Sequence, residues 1–159
     1  MKEIYPDLFS RMLFQVLGEE LEIEGIQMQS GGDINMAVCV QTAKGKFFIK
    51  WNEGDYEDMF ETEARGLQLL KACESLIVPE VFGTGKVDEN AFLVLEFLEP
   101  GFEDFTYWEK LGEGLAQLHR IKSEACGLDH NNYIGRLKQK NDQTKSWVQF
   151  FSENRLNVQ

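Results

Sequence analysis

Lys46-Phe47-Phe48-Ile49-Lys50-Trp51, followed shortly by Met59-Phe60-Glu61-Thr62-Glu63-Ala64, places two opposite charges where the surrounding pattern turns inward. In the first stretch, strand alternation puts Phe47, Ile49 and Trp51 on one face and Phe48 and Lys50 on the other. The second belongs to a predicted helix from about Tyr56 to Ala72. Its apolar residues Met59, Phe60, Leu67 and Leu70 recur at helical spacing, and Glu63 falls inside that stripe. A carboxylate on a core-facing stripe is costly unless a cation meets it, and Lys50 is the candidate. The competing reading is a surface lysine and a glutamate at the edge of a stripe.

Outward from this pair the pattern divides the chain. Pro6 opens a predicted helix with Leu8, Phe9, Met12, Leu13, Val16 and Leu17, which Gly18 can end. Leu21 to Met28 reads as a strand. Ser30 to Asn35 is a turn cluster, and Met36, Val38 and Val40 alternate in a second strand that a short loop joins to the Lys50 strand. After the Glu63 helix come Ile77 to Phe82, which Pro79 confines to an edge or irregular position, and the nearly continuous apolar run Ala91 to Phe97. Gly83-Thr84-Gly85-Lys86 between them reads as a turn, since the upstream glycine spacing of a phosphate loop is absent. Beyond a linker at Glu99-Pro100-Gly101 the character becomes helical. Thr106 and Glu109 have capping-box spacing, and Trp108, Leu111, Leu115 and Leu118 form one stripe. A loop is expected from Gly127 to Asn141, and a last helix holds Trp147, Phe150 and Phe151 as core candidates. His119, at the end of the Trp108 helix with no aspartate after it, reads as a structural helix-end residue.

With 159 residues, the chain is long enough for one domain or two small lobes. Its net charge of −11, from 27 acidic and 16 basic residues, argues against nucleic-acid or anionic-membrane partners. A nucleotide needs only a few local cations and stays open. Cys39, Cys73 and Cys126 are odd in number and far apart, so neither a disulfide framework nor a zinc site follows. No signal-peptide pattern or membrane-length apolar run is present, which makes the cytoplasm the expected compartment.

Taken together, Gly31-Gly32-Asp33-Ile34-Asn35, Phe48 to Asn52, Phe60 to Leu67, Val78 to Val81 and Phe92 to Leu98 resemble the fructosamine/ketosamine-3-kinase family. That family is similar to aminoglycoside phosphotransferases and, more distantly, to protein kinases. Leu115 to His119, Asn132 to Gly135, Gln139, Asn141, Trp147 to Phe151 and Arg155-Leu156 extend the match over nearly the whole chain, and the groups from Asn132 onward are the most specific to the family. The resemblance implies an α+β fold: a protein-kinase-like small lobe of five antiparallel strands plus helix over 1–96, a hinge over 97–100, and the first helices of a truncated large lobe over 101–159. It implies ATP-dependent phosphorylation of the 3-hydroxyl of a ketosamine, whether a small sugar-amine adduct or a glycated protein, with Mg2+ as cofactor. Lys50 would bind the α- and β-phosphates and Glu63 would hold Lys50, as kinase folds do. Gly31, Gly32, Asp33 and Asn35 would cover the phosphates, and Glu96, Phe97 and Leu98 would read the adenine edge. Asn132, Gln139 and Asn141 are candidates for a substrate-side role, although such residues are more often loop caps. Leu137-Lys138 stand where the family often has Thr-Pro.

One departure is decisive for catalysis. The family's catalytic aspartate lies in a His-Gly-Asp motif and a later aspartate holds magnesium, and neither is matched here. The expectation is a nucleotide half-site, inactive alone, with no catalytic residue and no metal ligand of its own. The alternative is a short non-catalytic module that binds nucleotide or self-associates through helix stripes left partly uncovered.

Overall fold

The computed structural model describes residues 4–30 and 34–158, so Gly31, Gly32 and Asp33 lie outside the described residues. The chain divides into two units, Met1–Lys71 with Val78–Phe102, and Ala72–Ile77 with Glu103–Gln159. The first holds α1 (Ile4–Leu17), β1 (Ile23–Gln29), β2 (Met36–Thr42), β3 (Gly45–Glu53), α2 (Glu57–Lys71), β4 (Val81–Val87) and β5 (Asn90–Glu96). Its five strands make one antiparallel sheet in the order β1-β2-β3-β5-β4. No described helix is long and apolar enough to cross a membrane.

A helix covers each face of this sheet. On one, Leu8, Phe9, Met12 and Leu13 of α1 bury against Val38, Val40, Phe47, Ile49, Trp51, Phe92 and Val94. Phe9 meets the Trp51 ring edge-on, with centroids 4.9 Å apart. On the other, Phe60 and Ala64 of α2, one turn apart, pack on Ala91, Leu93 and Leu95, with Phe48 and Leu67 at the margin. The alternation read from β3 is therefore its true division between two cores. The unbroken apolar run of β5 has the same origin, since Ala91 to Leu95 are all buried beneath one helix or the other.

β4 departs furthest from the sequence pattern. The strand begins at Val81, four residues after Ile77, which is exposed, and it includes Gly83-Thr84-Gly85-Lys86, which the sequence suggested as a turn. The reversal comes later, at Asp88, whose φ is 52°. The glycines serve packing rather than turning. A Cβ on Gly83 would come within 2.8 Å of Val16 Cγ1, and one on Gly85 within 2.5 Å of Gln15 Nε2, so their small size lets α1 lie close to β4. Arg11 of α1 adds a two-pronged clasp on Asp88, with Nη1 and Nη2 donating at 2.8 and 2.9 Å. That hydrogen bonding holds the exposed Asp88 carboxyl below its usual range. Its stabilising contribution is present above the unfolded carboxylate pKa and is lost as pH falls through the depressed folded value.

The second unit carries α3 (Tyr107–Leu118), a small hairpin of β6 (Asn132–Ile134) and β7 (Leu137–Gln139), and α4 (Trp147–Phe151), which runs on as a π-helical turn over Ser152–Leu156. The expected capping box is replaced by a different start. Thr106 makes no side-chain cap, and instead its N–H and hydroxyl both donate to Asp104 Oδ1 at 2.8 Å. Within the expected 127–141 loop, Gly135 at φ 61° supplies the left-handed turn of the hairpin. Of the three aromatic residues expected in the core of α4, only Phe150 is buried, and Trp147 and Phe151 are exposed.

Gly83→Val is expected to destabilise the protein by roughly 1–3 kcal/mol through overpacking against Val16. Gly66→Ala in α2, where an added Cβ meets nothing within 4 Å, should stabilise it by about 0.5–1 kcal/mol. Urea unfolding midpoints of the two variants, moving in opposite directions, check the assignment of these glycines.

Candidate functional site

Strand alternation sends Lys46, Phe48, Lys50 and Asn52 of β3 to the α2 face. On β2, Gln41, Cys39 and Ala37 stand opposite Lys46, Phe48 and Lys50, and on β5, Leu95 and Leu93 stand opposite Phe48 and Lys50. The result is a row about 20 Å long on which one buried apolar stretch separates polar groups at each end. The sequence pattern places Phe48 and Lys50 on this row, with Lys50 as the partner expected for Glu63.

Lys50 is the centre of the row. Its Nζ lies 2.7 Å from Glu63 Oε1 and 2.8 Å from Oε2, a two-oxygen contact between β3 and α2. Both side chains are largely shielded, with exposures of 24% and 31%. The helix geometry explains the meeting. Phe60 and Ala64 seat α2 on β5, and Glu63, between them on the same side, is carried down to the strand. The edge-of-stripe alternative is thereby excluded.

Asn52 extends the row toward the start of β2. Its Nδ2 donates to the Ile34 carbonyl at 2.8 Å and to Asn35 Oδ1 at 3.1 Å. Asn35 is thus held beside β3, while the Gly31, Gly32 and Asp33 positions fall outside the described residues. At the opposite end Lys46 bonds Glu99 and stands over the Phe97 ring, 5.6 Å from its centroid. The bond to Glu99 raises the Lys46 ammonium above its usual range, and burial raises the Cys39 thiol. Among the expected adenine-edge residues, the Glu96 N–H donates to the Glu80 carbonyl at 2.8 Å. Phe97 is half-buried and Leu98 exposed. Asn52 carries no role in the sequence reading, although its place one strand period after Lys50 puts it on the same face. The contacts of Glu99 and Phe97 with Lys46 are not legible there, because they join the start of β3 to the chain after β5, neighbours in the sheet but distant in sequence.

The three candidates in the second unit form a different arrangement. Asn132 and Gln139 face each other across the β6–β7 hairpin. Asn141 is buried, and its Nδ2 donates to the His130 carbonyl and to Asn132 Oδ1, each at 2.9 Å. Arg155 Nη2 donates to Asn141 Oδ1 at 2.5 Å, while Nη1 reaches the Lys140 carbonyl at 2.8 Å. Every polar atom of the Asn141 side chain is engaged in holding the hairpin to the chain after α4, which is a structural duty. Among the described residues no group of three or more His, Cys, Asp or Glu gathers in a way that would hold a metal ion.

The family model described as fructosamine kinase matches residues 7–159. The "Probable ketoamine kinase" of Synechocystis sp. is 34% identical over 151 residues, which cover 94% of this chain and 51% of the relative. The chloroplastic "Protein-ribulosamine 3-kinase" of Oryza sativa subsp. indica is 34% identical over 145 residues, covering 89% and 42%. A crystal structure of a "Putative fructosamine-3-kinase" from Haemophilus somnus superposes with a TM-score of 0.84 at 33% identity, covering 94% of this chain and 51% of that one. A Thermobifida fusca structure with the same description shares the fold, with a TM-score of 0.75. This chain spans about half the length of the curated relatives it matches. The sheet with α2 across one face is accordingly a kinase-like small lobe.

A double-mutant cycle on Lys50→Ala and Glu63→Ala should return a coupling of roughly 1 kcal/mol, read from urea unfolding of the four proteins. A coupling indistinguishable from zero would mean the pair contributes no stability beyond its separate side chains.

Proposed function

This chain belongs to the fructosamine kinase family, and from that premise we propose that it carries the nucleotide-binding half of an ATP-dependent ketosamine 3-kinase. The observation that carries the reading is the Lys50–Glu63 contact, a cation held by two oxygens on a shielded sheet face. Phosphoryl transfer asks a protein mainly to position charge and neutralise it. Lys50 would bind the α- and β-phosphates. Glu63 would keep its ammonium from folding away when no nucleotide is bound. Gly31, Gly32, Asp33 and Asn35 would lie over the phosphates, and backbone groups of Glu96, Phe97 and Leu98 would meet the adenine edge.

The domain division follows the same logic: a nucleotide lobe over 1–96, a hinge over 97–100, and the start of a helical lobe from 101. The names of the relatives support a sugar-amine adduct as acceptor, either a small ketosamine or a glycated protein. A divalent cation would neutralise the triphosphate. No residue of the 159 matches the His-Gly-Asp aspartate that the resemblance implies as base, so binding without turnover is the expected behaviour. An ATP-dependent reaction also fits the cytoplasm, where the nucleotide is supplied.

Calorimetric titration with ATP and magnesium is expected to show binding that Lys50→Ala weakens by roughly tenfold or more, the effect of losing a charged phosphate contact. ADP release measured beside it, with a fructosamine as acceptor, should stay at background. Turnover by this chain would overturn the half-site reading. Concentration-dependent association with no nucleotide binding would replace it by a self-associating module.

A further inference from the structure

Lys50 and Asn52 leave β3 on the same face, about 7 Å apart along the strand. Lys50 is held from the helix side by Glu63, and Asn52 is held from the β2 side by Ile34 and Asn35. The second set of bonds has a polarity that chemistry dictates. A backbone carbonyl can only accept, so Asn52 must turn its NH2 group toward Ile34. The other hydrogen of that NH2 then meets the Asn35 carboxamide oxygen at 3.1 Å. With its oxygen taken, Asn35 has its own NH2 directed away from Asn52.

Asn35 precedes β2 by one residue, and Ala37, two residues on, stands opposite Lys50. The Oδ1 of Asn35 accepts from Asn52, which leaves β3 on the Lys50 face, so the Asn35 side chain lies at that face. At this end of the row the outward group is a hydrogen-bond donor, the kind an anionic oxygen selects. Rotated by half a turn, the same carboxamide would present lone pairs and repel it.

We propose that Asn52 is a positioning residue of the phosphate site: it locks the Asn35 carboxamide so that its NH2 donates to a phosphate oxygen of the nucleotide on Lys50. This rests on the nucleotide half-site reading and assigns Asn35 and Asn52 distinct duties within it. Asn35 touches the ligand, and Asn52 acts only through Asn35.

The discriminating variant is Asn35→Asp. It is isosteric and keeps an oxygen for Asn52, so the clip survives, while the outward donor becomes an anionic acceptor. Calorimetry would compare ATP with magnesium against adenosine, for the unmodified protein, Asn35→Asp and Asn52→Ala, with thermal melts alongside. Asn35→Asp should weaken ATP by roughly tenfold or more while its adenosine affinity and melting midpoint hold. Asn52→Ala should lose ATP affinity in the same selective way, to a smaller degree, because a freed Asn35 can still rotate into place. ATP affinity unchanged in both variants, in a protein that binds ATP, overturns this inference and leaves the half-site standing. Equal losses for ATP and adenosine also overturn it, because the clip would then only hold the sheet together. An unmodified protein that binds neither ligand brings down the half-site and the inference together.

Discussion

A lysine on a strand face and a glutamate on a helix face have to meet, and the first unit is organised so that they do. An ion pair in partly shielded surroundings is a poor source of net stability, because desolvating both partners offsets most of their attraction. The force that seats α2 is apolar. Phe60 and Ala64 bury against Ala91, Leu93 and Leu95, and this packing carries Glu63 to within 2.8 Å of Lys50. The pair is therefore a consequence of the packing, and what it supplies is a cation held in place.

That arrangement needs a sheet buried on both sides. α1 covers the face away from Lys50 with Phe9, Met12 and Leu13, while the Lys50 face is closed at its centre by α2. With β3 between two cores, its backbone has little freedom to slide. A one-residue slip would move Lys50 into the α1 core and Ile49 out of it. Gly83 and Gly85 belong to the same constraint, since α1 reaches its place against β4 only where no side chain intervenes.

The second unit is held differently. Buried aliphatic residues give way there to a polar clasp, in which Asn141 joins His130, Asn132 and Arg155 through its side chain. Arg155 also stands over the Phe150 ring, 4.9 Å from its centroid, so the buried aromatic and the clasp share one cation. Trp147 and Phe151 lie on the exposed side of the same helix.

Much of this was written locally. Period-two alternation in β3 sorted Phe47, Ile49 and Trp51 from Phe48 and Lys50. Helical spacing placed Glu63 inward, and the unbroken run from Ala91 marked a strand covered twice. These features are legible because each depends on the geometry of a single element, which repeats over a few residues. The extent of β4, the hairpin around Gly135 and which of the α4 aromatic residues stay covered were not legible. A glycine reads the same whether it permits a turn or the approach of a helix from elsewhere, and an aromatic residue reads the same whether or not anything covers it. The bonds from Lys46 to Glu99 and from Asn52 to Ile34 and Asn35 join positions distant in sequence, so no periodicity announces them. The sequence by itself determined the elements, their inward faces and the charged pair. Tertiary structure alone decided which residues those faces meet, because that depends on strand order and helix seating, which no single segment encodes.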